Sequence, residues 1–231
     1  MPLVSKVCNI RMVPLAIDIV TAELTGRESP VPGLKDRKIP YYGVKEAVFP
    51  FNMFPEVDPI LGPEMRSTGE VLGLSHFYGE AFFKAQEATQ TSLPMGGRVL
   101  ISVCDKDKEE MLQVARELAE SGFRILATKG TQKALTDAGI LSEFVYKLNE
   151  GRPNINDLIT NGKVDLIINT PIGADGATDD SYLRKAAIKK KVPYITTIAA
   201  AKAAASGVRS MNKPGCGAVL SLQELHREIE G

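Results

Sequence analysis

Polar and basic side chains follow several short apolar segments in the carboxyl-terminal half of the chain. In chain order they are Ser102, Lys108, Thr128, Gly130, Thr131, Lys147, Asn169, Thr170, Thr196 and Thr197. Hydroxyl groups, an amide and two ammonium groups, together with the N–H groups of a helix start, are donors that suit a phosphate group. If the apolar segments are parallel strands, these turns meet at one edge of a sheet. The pattern then predicts a pocket for a phosphorylated ligand.

A structural role explains any one of these residues equally well. Ser, Thr and Asn at strand ends are commonly helix caps or turn residues, and for a single position that role is the more frequent one. Several such turns at one predicted edge, together with two lysines, are harder to explain by capping alone. We therefore interpret the whole set, rather than any single member, as a binding pocket.

No side chain near these turns is suited to act as a general base or a nucleophile. No histidine occurs between Gly97 and Leu225, and Cys104 at an apolar strand end is interpreted as a packing residue. Asp179 and Asp180 are expected in a loop just before a helix, where carboxylates more often complement the helix dipole than bind a metal ion. The edge therefore predicts binding rather than catalysis, with no catalytic residue and no metal site.

Residues 97–131 contain the elements that must position the first of these turns. Val99–Val103 and Phe123–Ala127 are near-continuous apolar runs, typical of strands buried on both faces. Between them, Lys106–Ser121 predicts a helix capped by Asp105. Its apolar face is predicted to contain Met111, Leu112, Ala115, Leu118 and Ala119. The segment is therefore a predicted β-α-β unit.

The same plan repeats towards the carboxyl terminus. Further strands are predicted at 144–146, 164–168 and 193–195, with 164–168 central because it is the most apolar. Helices are predicted at 154–161, 181–190, 198–206 and 221–230. The prediction is an α/β fold with a five-stranded parallel sheet flanked by helices.

The region before this sheet has a different character. A strand is predicted at Leu3–Val7, a helix at Pro14–Thr25, a strand at Tyr41–Phe51 and a helix at Tyr78–Glu87. Prolines between residues 50 and 63 exclude regular structure there, and residues 88–97 form a Thr-, Ser-, Pro- and Gly-containing linker. We predict two domains, residues 1–93 and 94–231.

The composition excludes several classes of protein. The 28 Lys and Arg residues balance 28 Asp and Glu residues, so no charge excess favours nucleic acid or an anionic membrane. The three cysteines are widely spaced and form no disulfide framework, which fits a reducing compartment. No apolar run is long enough to span a membrane, and the first residues do not resemble a signal peptide. A cytoplasmic protein is predicted.

Several motifs, in order along the chain, closely resemble the carboxyl-terminal end of the large subunit of carbamoyl-phosphate synthetase. Before the linker these are PYY at 40–42, VKE at 44–46, PFN at 50–52 and LGPEMRSTGE at 61–70. After it they are ATKGT at 127–131, NEGRP at 149–153, INTP at 168–171 and TT at 196–197. LGPEMRSTGE is highly specific, whereas the ATKGT and INTP turns resemble those of several relatives of the fold.

The resemblance implies a methylglyoxal-synthase-like allosteric domain at 94–231, preceded at 1–93 by the truncated α+β end of an ATP-grasp synthetase domain. It implies a regulatory nucleotide, UMP or IMP, bound by Ser102, Lys108, Thr128, Gly130, Thr131, Lys147, Asn169 and Thr197. It also implies an ornithine-type effector bound by Glu46, Leu61, Tyr194 and Thr196. Pro171 and the segment 173–179 depart from members with a threonine and arginines there, which leaves the identity of the nucleotide open.

The parent enzyme of this family is an ATP-dependent ligase that uses ATP, Mg and K and serves pyrimidine and arginine biosynthesis. Its ATP-grasp active site should lie before Leu3, so we expect a separate section or an excised piece that is inactive alone and has no cofactor of its own. The expected partners are the rest of the large subunit, a glutaminase small subunit and further copies of the chain. The sequence does not decide which effector binds, or whether it activates or inhibits.

Two alternatives remain open. Methylglyoxal synthase shares the fold implied by the resemblance, but it uses a catalytic Asp at the position of Arg152 and has histidines around its pocket. Residues 1–90 would instead serve as a subunit-interaction module if apolar residues such as Phe49, Phe51 and Phe54 are exposed.

Overall fold

A computed structural model describes residues 2–34, 36–48, 69–89, 92–170 and 177–229. The helices in these ranges are α1 Pro2–Cys8, α2 Met12–Thr25, α3 Tyr78–Glu87, α4 Lys108–Glu120, α5 Lys129–Asp137, α6 Ile155–Thr160, α7 Ala177–Lys189, α8 Ile198–Met211 and α9 Leu222–Arg227. The strands are β1 Tyr42–Val48, β2 Gly69–Ser75, β3 Gly97–Ser102, β4 Phe123–Ala127, β5 Glu143–Phe144, β6 Leu166–Asn169 and β7 Tyr194–Ile195.

Five parallel strands form the main sheet in the order β5-β4-β3-β6-β7, which confirms the predicted α/β fold. The order makes β3 central, so the prediction that residues 164–168 form the central strand is wrong. β6 is instead paired with β3 on one side and β7 on the other. Both strands are buried on both faces, so apolar content alone does not distinguish the centre from its neighbour.

Alternate side chains of the sheet enter two separate apolar cores. On one face, Val99, Ile101 and Ile168 pack with residues of α4, α5 and α8. On the other face, Leu100 and Ile167 pack with residues of α6 and α7. This two-sided packing is what the period of two along a strand requires when helices cover both faces of a sheet.

The helix after β3, α4, differs from its prediction in how it starts and in which residues it buries. Asp105 does not cap it: residues 105–107 form a short 3-10 turn, and Asp105 pairs with Lys108 instead. Val114, which was not among the predicted apolar residues, is buried, whereas Ala119, which was, is exposed. The predicted burial of Met111, Ala115 and Leu118 is confirmed, and Leu112 is partly buried.

The amino-terminal region forms a two-stranded antiparallel sheet with helices. Tyr42–Val48 pairs with Gly69–Ser75, a strand that was not predicted. Its sequence, GEVLGLS, lacks clear alternation, and Gly73 interrupts it. A Cβ at Gly73 would lie 2.0 Å from the carbonyl oxygen of Ala81, so the glycine is what allows α3 to approach this strand.

Other amino-terminal predictions were of mixed accuracy. The helix Tyr78–Glu87 is confirmed at both ends. Leu3–Val7 lies in a helix, not a strand; a short apolar segment fits either period. The second helix begins at Met12 rather than Pro14, and the proline occupies its first turn, where its missing N–H costs no hydrogen bond. Phe49–Phe51, the proline-rich segment and Leu61 lie outside the described residues.

Helices α8 and α9 begin within one residue of their predicted starts, whereas α7 begins earlier than predicted. Ser221 caps α9 through a capping box with Glu224, and Thr197 caps α8, which continues to Met211. α7 begins at Ala177, four residues before the predicted start, so Asp180 lies inside the helix.

The carboxyl-terminal helix α9 returns to the first residues of the chain. A ring nitrogen of His226 lies 2.5 Å from the carbonyl oxygen of Lys6. Nearby, His76 Nε2 lies 2.6 Å from a carboxylate oxygen of Glu228. Tyr41 Oη donates to the carbonyl oxygen of Val7 at 2.6 Å, so α1 is attached from two directions.

Candidate ligand-binding site

A cavity of about 190 Å³ opens at the carboxyl ends of β3, β4 and β6, and we call it the rim cavity. The described residues that line it are Ser102, Val103, Asp105, Lys108, Thr128, Gly130, Thr131, Lys147, Leu148, Ile155, Asn169, Thr170, Asp180 and Leu183. The parallel register places Ser102 beside Asn169, so the ends of β3 and β6 meet directly. Of the residues predicted to bind a nucleotide, the structure brings all but Thr197 to this cavity.

The turn between β4 and α5 supplies buried hydroxyl groups. Thr128 occupies the cap position of α5, but its side chain makes no capping hydrogen bond and donates instead to Ser102 Oγ at 3.3 Å. Thr131 Oγ1 accepts a hydrogen bond from Val103 N at 3.2 Å. Because the first N–H groups of a helix have no partner within the helix, this turn also offers donors at its start. Thr128 is therefore not an ordinary cap.

Lys108 lies against the same turn. A Cβ at Gly130 would lie 3.1 Å from Lys108 Nζ, so the glycine leaves room for the ammonium group. Lys108 Nζ is 2.6 Å from Asp105 Oδ1. This hydrogen bond and the charge of Lys108 hold the pKa of the exposed Asp105 carboxyl below its ordinary value, and Lys147 adds to the effect. The ammonium group of Lys108 thus already has a carboxylate partner, which an incoming anion would have to displace or share.

A polar cluster that the sequence did not reveal lies beside the rim cavity, which two of its members, Asn169 and Asp180, line. Asn169 Nδ2 donates to Asp180 Oδ1 and to Tyr194 Oη, both at 2.7 Å. Tyr194 Oη donates to the same Asp180 oxygen at 2.5 Å, and Arg184 binds the other carboxylate oxygen. Asp180 is only 5% exposed, so it is neither a loop residue nor a solvent-facing partner of the helix dipole.

Burial and hydrogen bonding within this cluster change the pKa of Tyr194. Burial first, and then the hydrogen bond to Asp180, raise the pKa of the Tyr194 hydroxyl well above its ordinary value. The i, i+4 spacing of Asp180 and Arg184 would have indicated an ion pair if the start of α7 had been placed correctly. Placing Asp180 in a loop hid that signal.

The remaining predicted site residues lie elsewhere. Thr197 is exposed, and its hydroxyl accepts from Ala200 N at 3.2 Å, so its observed role is to cap α8. Thr196 is also exposed. Glu46 lies half-buried on β1; burial raises the pKa of its carboxyl, and hydrogen bonds from Gln86 and the Ala47 N–H partly offset this. Among the described contacts, none joins Glu46 to Tyr194 or Thr196, and a common site for them stays a prediction.

The carboxylates of the rim cavity are already occupied. Asp105 is paired with Lys108, and Asp180 is paired with Arg184. Arg152 is exposed and lies 3.9 Å from Asp157. The buried Cys104 Sγ donates to Asp107 Oδ2 at 3.0 Å, a contact that helps to hold the pKa of that carboxyl below its ordinary value. Because both carboxylates are paired, the arrangement is not suited to proton abstraction. It is suited to binding an anion whose attached groups donate hydrogen bonds.

The described ranges contain neither a candidate metal-binding cluster nor a helix that could span a membrane. No three His, Cys, Asp or Glu side chains lie close enough together there to hold a metal ion. In the same ranges, no helix combines the length and the apolar character that crossing a membrane requires.

The amino-acid sequence resembles that of known proteins. The MGS-like domain family matches residues 110–196. The "Carbamoyl phosphate synthase large chain, C-terminal section" of Methanopyrus kandleri is 47% identical over 98% of this chain, which spans 42% of that protein. The "Carbamoyl phosphate synthase large chain" of Archaeoglobus fulgidus is 44% identical over 98% of this chain, which spans 21% of it.

A solved structure, that of ForH, aligns with 57% of this chain and 88% of its own at 18% identity and a TM-score of 0.35, which is too low to support an argument. The sequence matches are much stronger, although the chain spans less than half the length of these relatives. Nearly the whole chain is thus related in sequence to the large chain of carbamoyl phosphate synthase, and its residues 110–196 form an MGS-like domain.

Proposed function

We propose that the chain is the regulatory carboxyl-terminal part of a carbamoyl phosphate synthase large chain, and that its rim cavity binds a nucleoside monophosphate, UMP or IMP. The supporting observation is that the start of α5, the ammonium group of Lys108 and the amide of Asn169 face one cavity. An anion is favoured at the first two, because both offer positive potential and N–H donors. Asn169 offers a polar group at the opposite end.

The spacing fits a nucleotide. The ends of β4 and β6 lie on either side of β3, which places them about 10 Å apart at ordinary strand spacing. A phosphate at α5 would leave the sugar near Ser102 and Asn169. The described residues enclose about 190 Å³, whereas pockets that bury whole ligands usually exceed about 300 Å³. They would therefore enclose only part of a nucleotide.

In the parent enzyme, this site would control carbamoyl phosphate synthesis for the pyrimidine and arginine pathways. ATP, Mg and K would bind in other parts of that enzyme, and the region 1–93 would be the end of its ATP-grasp domain. The ornithine-type effector site at Glu46, Leu61, Tyr194 and Thr196, the glutaminase small subunit and contacts between copies of the chain belong to the same proposal. Alone, the chain would neither hydrolyse ATP nor make carbamoyl phosphate.

Isothermal titration calorimetry with UMP, IMP, uridine and inosine tests the proposal. We expect one nucleotide to bind at a single site and to raise the melting temperature, since a ligand of the folded state stabilises it by mass action. The matching nucleoside should bind more weakly, because it lacks the phosphate. If neither nucleotide binds, or if nucleoside and nucleotide bind equally, the proposed function is wrong.

A second proposed role is docking onto the rest of a longer large chain. Val13, Ile17, Val20 and Leu24 of α2 are 60%, 56%, 53% and 79% exposed, and their 4-3-4 spacing puts them on one face of the helix. An exposed apolar stripe of this kind favours contact with another protein surface. Replacing Ile17 and Val20 by Ser should abolish assembly with the remainder of the large chain and leave nucleotide binding intact. Unchanged assembly would contradict this role.

A further inference from the structure

A second cavity, of about 290 Å³, opens at the amino ends of β3, β4 and β6, on the edge of the sheet opposite the rim cavity. We call it the basal cavity. Its charged lining residues are Arg98, Arg124, Lys163 and Asp165, and the rest of its lining is glycine. Three cations against one carboxylate leave an excess of positive charge, although the formal charge of the whole chain is zero.

The sheet itself brings the two arginines of this cavity together. In the parallel register of β3 and β4, Arg98 is the partner of Arg124. Side chains at paired positions lie on the same face of the sheet, and neighbouring strands are about 4.8 Å apart. Two like charges so close to each other repel. Without a negative group beside them, this repulsion lowers the stability of the folded chain.

The one carboxylate of the basal cavity is bound to the backbone rather than to an arginine side chain. Asp165 Oδ2 accepts a hydrogen bond from the backbone N–H of Arg98 at 2.7 Å. A Cβ at Gly97 would overlap this oxygen, so the glycine is what lets the carboxylate approach the backbone. Among the described residues, no carboxylate forms an ion pair with Arg98, Arg124 or Lys163.

Another cavity, which lies between α4 and α8, shows how this chain pairs its cations elsewhere. Lys202 and Arg209 line that cavity, and each faces a glutamate of α4. Lys202 Nζ lies 2.5 Å from a carboxylate oxygen of Glu110, and Arg209 Nη1 lies 3.8 Å from one of Glu117. The cations of the basal cavity have no such partner in the described part of the chain, so they are available to an external anion.

We propose that the basal cavity binds a small molecule with two linked phosphate groups, one on Arg98 and the other on Arg124. A guanidinium group binds phosphate oxygens through two parallel N–H donors, and two neighbouring arginines offer this arrangement twice. Lys163 adds positive charge on the side of β6. Because Asp165 opposes an anion, a single phosphate group, which engages only one arginine at a time, should bind weakly.

The size of the basal cavity favours a compact ligand. Its volume of about 290 Å³ lies at the lower end of the usual range for small-molecule sites. The helices α4 and α6 end beside it, and cations also complement the negative end of a helix dipole. That structural role needs no ligand, and it predicts that replacing an arginine changes stability alone. The proposed site predicts a loss of affinity for a diphosphate as well.

Calorimetry with inorganic pyrophosphate, in buffer free of phosphate and sulfate, tests the proposal. Lys108→Met is the parent protein, because this change weakens any binding of the probe at the rim cavity. Pyrophosphate should bind it at one site, and orthophosphate should bind about tenfold more weakly or worse. Adding Arg98→Met or Arg124→Met should weaken pyrophosphate binding by about ten- to a hundredfold, and Lys163→Met by a smaller factor.

Arg116→Met is the matched control, since Arg116 is exposed on α4 and does not line the basal cavity. It should keep the affinity of the parent protein. Arg124 is exposed, so its variant should fold even if Arg98→Met does not.

Three results would overturn the proposal: no pyrophosphate binding by Lys108→Met, equal binding of orthophosphate, or an Arg124→Met loss no larger than that of Arg116→Met. Calorimetry of the unaltered chain with UMP and IMP reports on the rim cavity, so the proposed function and the basal site can fail separately.

Discussion

Helix α2 and the five-stranded sheet contain similar apolar residues but bury them very differently. On α2, Ile17 is 56% exposed and only Ala22 is buried. In the sheet, Ile101, Ile167 and Ile168 are 0% exposed. Apolar periodicity therefore identifies a helix, but whether its apolar side chains are buried depends on whether another helix or sheet packs against them. The sheet has helices on both faces, whereas among the described residues nothing covers the apolar stripe of α2.

The largest expected effect is the loss of core packing. Ile167→Ala removes a fully buried side chain between β6 and the α6–α7 layer, and it should cost about 2–5 kcal/mol of the free energy of unfolding. Ile17→Ala makes the same chemical change on α2 and should cost less than about 0.5 kcal/mol. Urea unfolding measures both. Equal losses would show that α2 is packed as tightly as the sheet.

The second-largest expected effect is a loss of stability when Gly73, where β2 meets α3, gains a side chain. Gly73→Ala places a methyl group 2.0 Å from the Ala81 carbonyl oxygen and 2.5 Å from Ala85 N. Because backbone of β2 or α3 must move, we expect a loss of about 1–3 kcal/mol or more. Gly33→Ala, where nothing lies within 4 Å, is the control and should stay within about 0.5 kcal/mol of wild type. Thermal unfolding of both variants checks this, and a harmless Gly73→Ala would refute the close approach of α3.

The third effect separates binding from stability within the sheet. Lys108→Met and Lys147→Met each delete an ammonium group of the rim cavity and should weaken nucleotide binding by about ten- to a hundredfold. The melting temperature should change little, because Met preserves most of the apolar stem. Lys163→Met, at the opposite edge of the sheet, is the control and should bind as wild type does. Wild-type affinity in both rim variants would remove these lysines from the site.

The smallest effect is a gain. Asp105→Asn removes the carboxylate that pairs with Lys108 and should strengthen nucleotide binding by about two- to fivefold, the range of an exposed ion pair. Since Lys108 holds the pKa of Asp105 below its ordinary value, the carboxylate stays charged and the gain should persist between pH 5 and pH 8. Calorimetry at both pH values measures it. Weaker binding in Asp105→Asn would mean that Asp105 helps the ligand instead of competing with it.

The predictable part of the fold was the part in which local signals and burial agree. The helix Tyr78–Glu87, the helix starts next to Asn154 and Ser221, and the strands before Ser102 and Thr128 all follow from short-range patterns. The strand Gly69–Ser75 was missed because its glycine serves a distant helix, and no local pattern records that. The residues that line the rim cavity were predicted better than the hydrogen bonds among them.

Asp180 shows why the bonding could not be predicted. Its role depends on where α7 begins and on a tyrosine fourteen residues further along the chain. Thr128 and Thr197 are a second instance, since both hold cap positions after strands and only Thr197 uses its hydroxyl to cap. A threonine at the same cap position can thus take different roles, because at Thr128 the hydroxyl bonds to Ser102 on the neighbouring strand instead of to its own helix.

The contacts of α9 with the first residues also have a consequence for the order of folding. His226 and Lys6 are 220 residues apart in the chain, and His76 and Glu228 are 152 apart. Closing loops of that length costs chain entropy that few local contacts repay, so such contacts form late. The parallel sheet should therefore be complete before α1 is fixed in place. Hydrogen exchange during refolding should protect β3 and β6 first and α1 last.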